Sequence, residues 1–267
     1  MRVSFEKYQG LGNDFLIVEH TREMDTWMTI ERVRQLCDRR FGVGGDGVLL
    51  VGSGLGAASM RVLNADGSIP EMCGNGLRCV ARYLATKEKL SGPLTIATDA
   101  GKLECTLEGG YVRSELGHAK IVDERVIQAS PYGALKVAVV DIGNPHAILL
   151  REDGTFWGVD EASVLSIGPA IERAPVFPDR TNVEFVRIND RTSLELVVWE
   201  RGVGRTLACG TGAGATAFYS ASKGFTDWAE TAVDLPGGRL FVTPTPGGKV
   251  MMRGPAEHVY SGSLEIE

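Results

Sequence analysis

The sequence predicts an α+β protein of two pseudo-symmetric domains. Each would be a hairpin-rich sheet or barrel wrapped around a central helix, with the active site in the cleft between them. Three observations carry this expectation. First, CGNG at 73–76 and CGTG at 209–212 both place a cysteine before Gly-x-Gly at the start of a helix-like segment. Second, each segment is followed by the same succession of strand, Gly turn, strand, Gly-Gly turn, strand. Third, the stretches upstream of the two cysteines also match, with all offsets near 131 to 137 residues. Two copies make a pseudo-twofold pair and no solenoid.

The elements follow in chain order. LGNDFLIVE (11–19) and IGNPHAILL (142–150) each set Gly-Asn ahead of an apolar strand. GDGVLLV then MRVLNADG in the first half parallels TNVEFVRI then LELVVWERG in the second: strand, turn, strand, polar corner. Runs such as LELVVW (194–199) and KVAVVDI (136–142) are β-branched and bounded by turn residues, as strands are. After Cys73, Leu77, Val80, Ala81 and Leu84 fall at i, i+3, i+4 and i+7, the stripe of a core-facing helix that runs to about Lys87. After Cys209 the Ala-rich AGATAFYSASK runs to Lys223, with Gly224 placed to stop it. The division falls near 117–125, where GHAKIVDE reads as a linker. It gives an N-terminal domain 1–118, joined by the tail 255–267, and a C-terminal domain 119–254.

Composition excludes several classes of function. A hydrophobic fraction of 43% and a charged fraction of 23% describe an ordinary globular chain, and 267 residues can bury a core without staples. Net charge is −6 with both signs interspersed, which argues against nucleic acid or an anionic membrane as partner. No apolar run approaches the roughly 20 residues of a membrane span, and the first residues lack a signal core. A cytoplasmic location follows as the expectation. Five cysteines at irregular spacing fit no disulfide framework. With no C-x-x-C, no H-E-x-x-H and four histidines, no metal site is expected.

A cysteine at a helix start has a chemical use. The first N–H groups of a helix lack intrahelical partners and carry partial positive charge. A thiolate there is stabilised, so its pKa is expected to fall toward neutrality. The flanking glycines let a substrate carboxylate approach the free N–H groups. Duplicated and opposed, two such thiols could remove a proton from one face of a carbon and return one to the other. The N–H groups would hold the charge that develops on the carboxylate. Such a reaction needs no cofactor.

The motifs GLGNDF (10–15), FGVGGDG (41–47), NADGS (64–68), EMCGNGLRC (71–79), GNPH (143–146), RTNVEF (180–185) and WERGVGRTLACGTGAGA (199–215) occur in an order and spacing that resembles the diaminopimelate epimerase family over essentially the whole chain. The resemblance implies an isomerase that converts LL-2,6-diaminopimelate to the meso form, a step toward lysine and peptidoglycan, by a cofactor-independent two-base route. It implies that Cys73 and Cys209 are the acid–base pair. Gly74, Asn75, Gly210 and Thr211 would cradle the reacting carboxylate. Asn13, Asn64, Asn144, Asn182, Glu200 and Arg201 would hold the substrate, and His146 would help poise a thiol. A homodimer is implied by the resemblance only. The chemistry agrees at the distal end of the substrate, a zwitterion: Arg201 suits a carboxylate and Glu200 an ammonium.

Each residue type also has a plainer use, such as turn chemistry for Asn64 or a solvated corner for Glu200–Arg201. Cys37, Cys79 and Cys105 read as packing residues. Gly47 stands where some family members carry Gln, so a side-chain contact to substrate would be missing there. Arg205 stands where an acid is frequent; it would either add positive charge near Cys209 or face solvent. The rival activity is racemisation of another amino acid of the proline, hydroxyproline or histidine type.

Overall fold

The computed structural model describes residues 2–52, 58–70, 72–89, 92–129, 132–150 and 161–265. Glu71, the first residue of the EMCGNGLRC motif, lies outside them. The chain divides into two compact units, 1–114 with 254–267, and 115–253.

In the first unit, β1 (Arg2–Gly10) and β2 (Asn13–Glu19) form an antiparallel hairpin. Its two central residues, Leu11 (φ 58°) and Gly12 (φ 80°), are both left-handed, the twist-matched two-residue turn. Two helices follow, α1 (Arg22–Trp27) and α2 (Ile30–Cys37), then β3 (Gly47–Gly52) and β4 (Ala58–Asn64). Next come α3 (Gly74–Glu88), β5 (Leu94–Thr98), β6 (Gly101–Glu108) and β7 (Tyr111–His118), the last running across the division.

The second unit contains β8 (Lys120–Ala129), β9 (Gly133–Asp141), β10 (Pro145–Leu149) and α4 (Glu161–Glu172). They are followed by β11 (Asn182–Asp190), β12 (Ser193–Glu200), β13 (Gly204–Thr206) and α5 (Gly210–Ser222). It ends with β14 (Thr231–Leu235), β15 (Gly238–Pro244) and β16 (Lys249–Pro255). A last strand, β17 (Glu257–Glu265), pairs antiparallel with β1.

Strand pairing repeats, with β13 the added strand of the second unit. From β17 through β1, β2, β3, β4, β5, β6 to β7 the pairs are antiparallel, antiparallel, parallel, antiparallel, parallel, antiparallel, antiparallel. From β8 through β9, β10, β11, β12, β14, β15 to β16 the succession is the same. Each parallel step is a crossover, and the second crossover of each unit carries the helix that begins after a cysteine.

Alternation along the strands decides where the core sits. In the first unit Phe15, Ile17, Leu49 and Val51 pack with Leu77, Val80, Ala81 and Leu84 of α3. Their neighbours Leu16, Val18, Val48 and Leu50 pack on the opposite face with Val33 and Leu36 of α2. The central strands are buried on both faces, so their sequence is a continuous apolar run. In the second unit Val137, Val139, Leu149, Val183 and Phe185 pack with Val164, Ile167 and Ile171 of α4. Helix α5 buries nearly all its residues and ends as a Schellman motif: Gly224 (φ 75°) donates to Ala221 O at 3.0 Å and Phe225 to Ser220 O at 2.9 Å.

Two expectations are corrected. Helices α1, α2 and α4 join the single helix expected in each half. Residues 117–124, expected as a linker, instead form the end of β7 and the start of β8, where Lys120 to Glu124 pair with β9 around a bulge at Ile121/Asp123. Exposed polar residues on one side of a two-stranded ladder give a segment the composition of a linker.

Candidate active site

Cys73 and Cys209 are the N-cap residues of α3 and α5, with backbone angles of −137°/112° and −128°/114°. Each sulfur accepts a hydrogen bond from the N–H three residues on, Gly76 and Gly212, at 3.4 Å in both cases. A thiol takes the part usually played by Ser or Asp. Cys73 is half-buried and Cys209 buried.

Around Cys73 the side chains form one directed hydrogen-bond chain. Arg78 Nη2 donates to Asn75 Oδ1 (2.8 Å), Asn75 Nδ2 to Asn13 Oδ1 (3.0 Å), and Asn13 Nδ2 to Asp46 Oδ2 (2.7 Å). Arginine can only donate and a carboxylate only accept, so both amide orientations are determined from the ends. Asp46 is itself held by Arg39 (2.7 Å), and Arg39 and Lys7 both pair with Asp14 at 2.6 Å. Burial opposes the charge on Asp14, but these two cations hold its carboxyl at about 2.

Asn64 lies apart from this chain. Its Nδ2 donates to Ser68 Oγ (2.9 Å) and its backbone closes the NADGS turn, so within this unit it does turn work. Gly47 pairs with Asn64 across β3–β4, and a Cβ on it would come within 2.7 Å of Leu63 O. Backbone closeness therefore accounts for glycine there.

Around Cys209 a second chain runs from a buried pair. Glu184 Oε1 and His146 Nδ1 are 2.6 Å apart, and neither side chain is exposed. His146 Nε2 is 3.0 Å from Asn144 Oδ1, Asn144 Nδ2 donates to Thr211 Oγ1 at 3.4 Å, and Thr211 Oγ1 stands 3.5 Å from Cys209 Sγ. His146, Asn144 and Thr211 are thus brought to one sulfur. A third group holds the corner after β12. Asn182 Nδ2 donates to Pro145 O (3.0 Å) and its Oδ1 accepts from Arg201 N–H (3.0 Å), while Glu200 Oε1 accepts from Thr206 (2.5 Å). The Arg201 guanidinium is exposed and donates to Asp179 O at 3.2 Å. Buried Glu172 fastens the corner by accepting from Trp199 Nε1 and Gly202 N–H, both at 2.8 Å.

The expectation that the helix end lowers a thiol pKa fails at Cys209, which lies well above its ordinary value. Burial is the largest cause, and the Glu200 and Glu184 carboxylates add to it. Thr211 and the Gly212 N–H pull the other way and lose. A dry site beside two carboxylates favours the neutral thiol, the acid form. Arg205 is exposed on β13. Burial pushes Cys37 up to about 11 and Cys79 and Cys105 up to about 12, as inert packing thiols should be.

Sequence reasoning missed Glu184, Asp46, Arg78 and Glu172. Two had a signal: Asp46 is the one charged residue of the Gly-rich FGVGGDG stretch, and Arg78 interrupts the apolar side of α3. Among the described residues, no group of His, Cys, Asp or Glu could hold a metal ion, and no helix is long and apolar enough to cross a membrane.

Comparison with known proteins agrees in one direction. The profile of the family described as diaminopimelate epimerase matches residues 5–122 and 138–259. The diaminopimelate epimerase of Synechococcus elongatus is 42% identical over 287 aligned residues, covering 100% of this chain and 99% of the relative. That of Desulfitobacterium hafniense is 41% identical, covering 97% and 96%. The chloroplastic enzyme of Oryza sativa subsp. japonica is 40% identical, covering 97% of this chain and 79% of the relative. Among solved structures, a phenazine biosynthesis protein of the PhzF family from Bacillus anthracis aligns with TM-score 0.74 at 17% identity, each chain covered in full. A probable proline racemase from Agrobacterium radiobacter aligns with TM-score 0.73 at 16% identity, over 99% of this chain and 93% of the other. At those identities the structures speak for the fold alone. The relatives speak for more: this chain belongs to the diaminopimelate epimerase family.

Proposed function

We propose that the chain is an isomerase that interconverts LL- and meso-2,6-diaminopimelate, with Cys73 and Cys209 as its two bases. The observation that carries this reading is the duplicated N-cap, two sulfurs in matching backbone geometry with matching N–H contacts at 3.4 Å.

In the reaction one cysteine, as thiolate, takes the α-proton and becomes a thiol. The electron pair left on carbon spreads into the adjoining carboxylate. The other cysteine, as thiol, gives its proton to the opposite face and is left as thiolate. Charge on the carboxylate oxygens is met by the N–H groups that open the two helices, at Gly74, Asn75, Gly210 and Thr211. Asn13 would offer an N–H donor, and Asn144 and Asn182 are held in place for the same substrate. Arg201 would take the distal carboxylate and Glu200 the distal ammonium. Asn64 would join them from the end of β4. Stabilising the carbanion in this way calls on no cofactor.

A working thiol pair suits a reducing compartment, the cytoplasm. A homodimer rests on the family resemblance.

Incubating LL-diaminopimelate with reduced protein in deuterated water tests substrate and reaction together. One solvent deuteron at one α-carbon of the meso product is expected by NMR. Turnover of proline or hydroxyproline with none of diaminopimelate would transfer the assignment to the rival racemase.

A further inference from the structure

The two cysteines share a backbone geometry and differ in charge. Arg78 lies five residues after Cys73 and is fully buried. Its guanidinium folds back toward the start of α3, where Nη1 donates to Gly74 O (3.4 Å), Nη2 to Asn75 Oδ1 (2.8 Å) and Nε to Pro255 O (3.2 Å). Gly74 is the residue next to Cys73, so a full positive charge stands at the end of the helix that already carries the partial one. Five residues after Cys209 stands Gly214. A Cβ there would meet Leu116 Cδ1 at 2.9 Å, Ile142 Cδ1 at 3.1 Å and Val250 Cγ1 at 3.4 Å. Apolar groups fill the space that Arg78 occupies in the first unit. Carboxylates act on Cys209 instead: a Cβ on Gly212 would lie 2.8 Å from Glu184 Oε1 and 3.4 Å from Cys209 Sγ.

We propose that Arg78 is a positioning residue for the reaction: the buried guanidinium, replaced by Gly214 at the matching position of the second repeat, makes Cys73 the thiolate of the resting enzyme while Cys209 rests as the thiol. The proposal rests on the reading of these two residues as the acid–base pair and says which one starts in which form.

The other groups around each sulfur agree. Near α3 the ionisable groups acting on Arg78 besides Cys73 include Cys79 on the same helix and Cys105 on β6, both held neutral by burial. Asp14 on β2, which acts on Cys79, is already matched by Lys7 and Arg39. Strand β1 offers α3 Tyr8, whose phenol burial keeps neutral, and β3 and β4 offer apolar side chains, Leu49 and Met60 among them. Facing Cys209 are Glu200 from β12 and Glu184 from β11, the latter paired with His146 from β10. The thiolate of Cys73 favours the guanidinium in turn, and burial of the cation is the opposing cost. After one turnover begun by Cys73 the protons are reversed, and exchange with water restores the resting form.

The test is the pH dependence of iodoacetamide alkylation at each cysteine, read by peptide mass spectrometry on the reduced full-length protein. The readout is the pH midpoint, because absolute rates also carry accessibility. In the wild type the Cys73 midpoint is expected at least about one unit below that of Cys209. Arg78→Met should raise the Cys73 midpoint by about one unit or more and leave Cys209 in place, while Arg78→Lys should keep most of the wild-type value. Equal or inverted midpoints in the wild type overturn the proposal, and so does an unmoved Cys73 midpoint in folded Arg78→Met. Should Arg78→Met not fold, the wild-type comparison and Arg78→Lys decide. Alkylation needs no substrate, so split midpoints that depend on Arg78 in a protein that fails to turn over diaminopimelate would sink the reading of the substrate and leave the charge difference between the two thiols standing.

Discussion

His146 and Glu184 meet through Nδ1 and Oε1 at 2.6 Å with no exposure to solvent on either side. Burial raises the Glu184 pKa, and the imidazole beside it opposes the rise. Its second oxygen, Oε2, has no hydrogen-bond partner. Breaking such a pair leaves one buried polar group alone, which costs about 3–5 kcal/mol, whereas replacing both with apolar groups is often close to neutral. Glu184→Leu is therefore expected to lose about that much stability, and adding His146→Leu to cost little more. Urea unfolding of the two single variants and the double one checks this. Strictly additive losses would mean the two residues are not coupled.

Loss of either sulfur should stop the reaction. General acid–base groups contribute about 10²–10⁴ in rate, and a two-base exchange needs both. Cys73→Ala and Cys209→Ala are each expected to lower kcat/KM by at least the lower of those factors, with diaminopimelate turnover as the measurement. A variant that keeps near-wild-type rates takes its residue out of the mechanism.

Asp14 ties stability to acid. Its carboxyl stands at about 2 in the fold, below an ordinary 3.8. A group with a lowered folded value stabilises fully above its unfolded value and loses that contribution as the pH falls through the folded one. With little of the carboxyl exposed, the gap is worth about 2 kcal/mol. Unfolding free energy should fall by about that amount between pH 5 and pH 2 through this group. Asp14→Asn should start lower at pH 7 and show a flatter acid limb; a parallel limb would assign the loss to other carboxylates.

These polar groups were also the hardest to read in the sequence. The repeat was legible because Cys-Gly-x-Gly recurs with strands at matching offsets, and a hydrophobic period needs only residue types. Residues 182–186 at the start of β11 are buried on both faces, so alternation gives no sign that Glu184 points at a histidine. Helix α4 hides behind Gly168 and Pro169, helix breakers by composition, yet Gly168 is required because a Cβ would lie 2.6 Å from Trp199 Cγ. Helix α1 has six residues, too few for a period to show. Helix α2 did carry a signal: Thr29 caps it by accepting from Arg32 N–H at 3.4 Å. The raised Cys209 thiol needed coordinates, since the carboxylates responsible lie 25 and 9 residues away in sequence.

Glu172 acts at a distance from the chemistry. Its carboxylate joins Trp199 Nε1 to Gly202 N–H, both at 2.8 Å, and so fixes the corner bearing Glu200 and Arg201. Hydrogen bonds to a charged group are worth about 1.5–3 kcal/mol each. Glu172→Gln can keep one of them and not both at full strength. KM for diaminopimelate is expected to rise several-fold with a smaller change in kcat. A fall in kcat alone would place the effect on the thiols and contradict this account of the corner.

Gly76 and Gly212 occupy the same helical position in the two repeats, and alanine should separate them. Alanine in a helix gains about 1 kcal/mol over glycine, an effect that favours both substitutions equally. What differs is the neighbour. At Gly76 the new Cβ would meet Leu49 Cδ2 at 3.1 Å, the free end of a side chain that can turn aside. At Gly212 it would meet Glu184 Oε1 at 2.8 Å, an atom held against His146 in a dry site. Overpacking of a fixed neighbour costs about 1–3 kcal/mol, more than the propensity returns. Gly76→Ala is expected within about 1 kcal/mol of wild type and Gly212→Ala to be clearly the less stable of the two by thermal unfolding. The reverse order would mean that the Glu184–His146 pair gives way as easily as a leucine methyl, and the account of that pair as a rigid support for Cys209 would have to be abandoned.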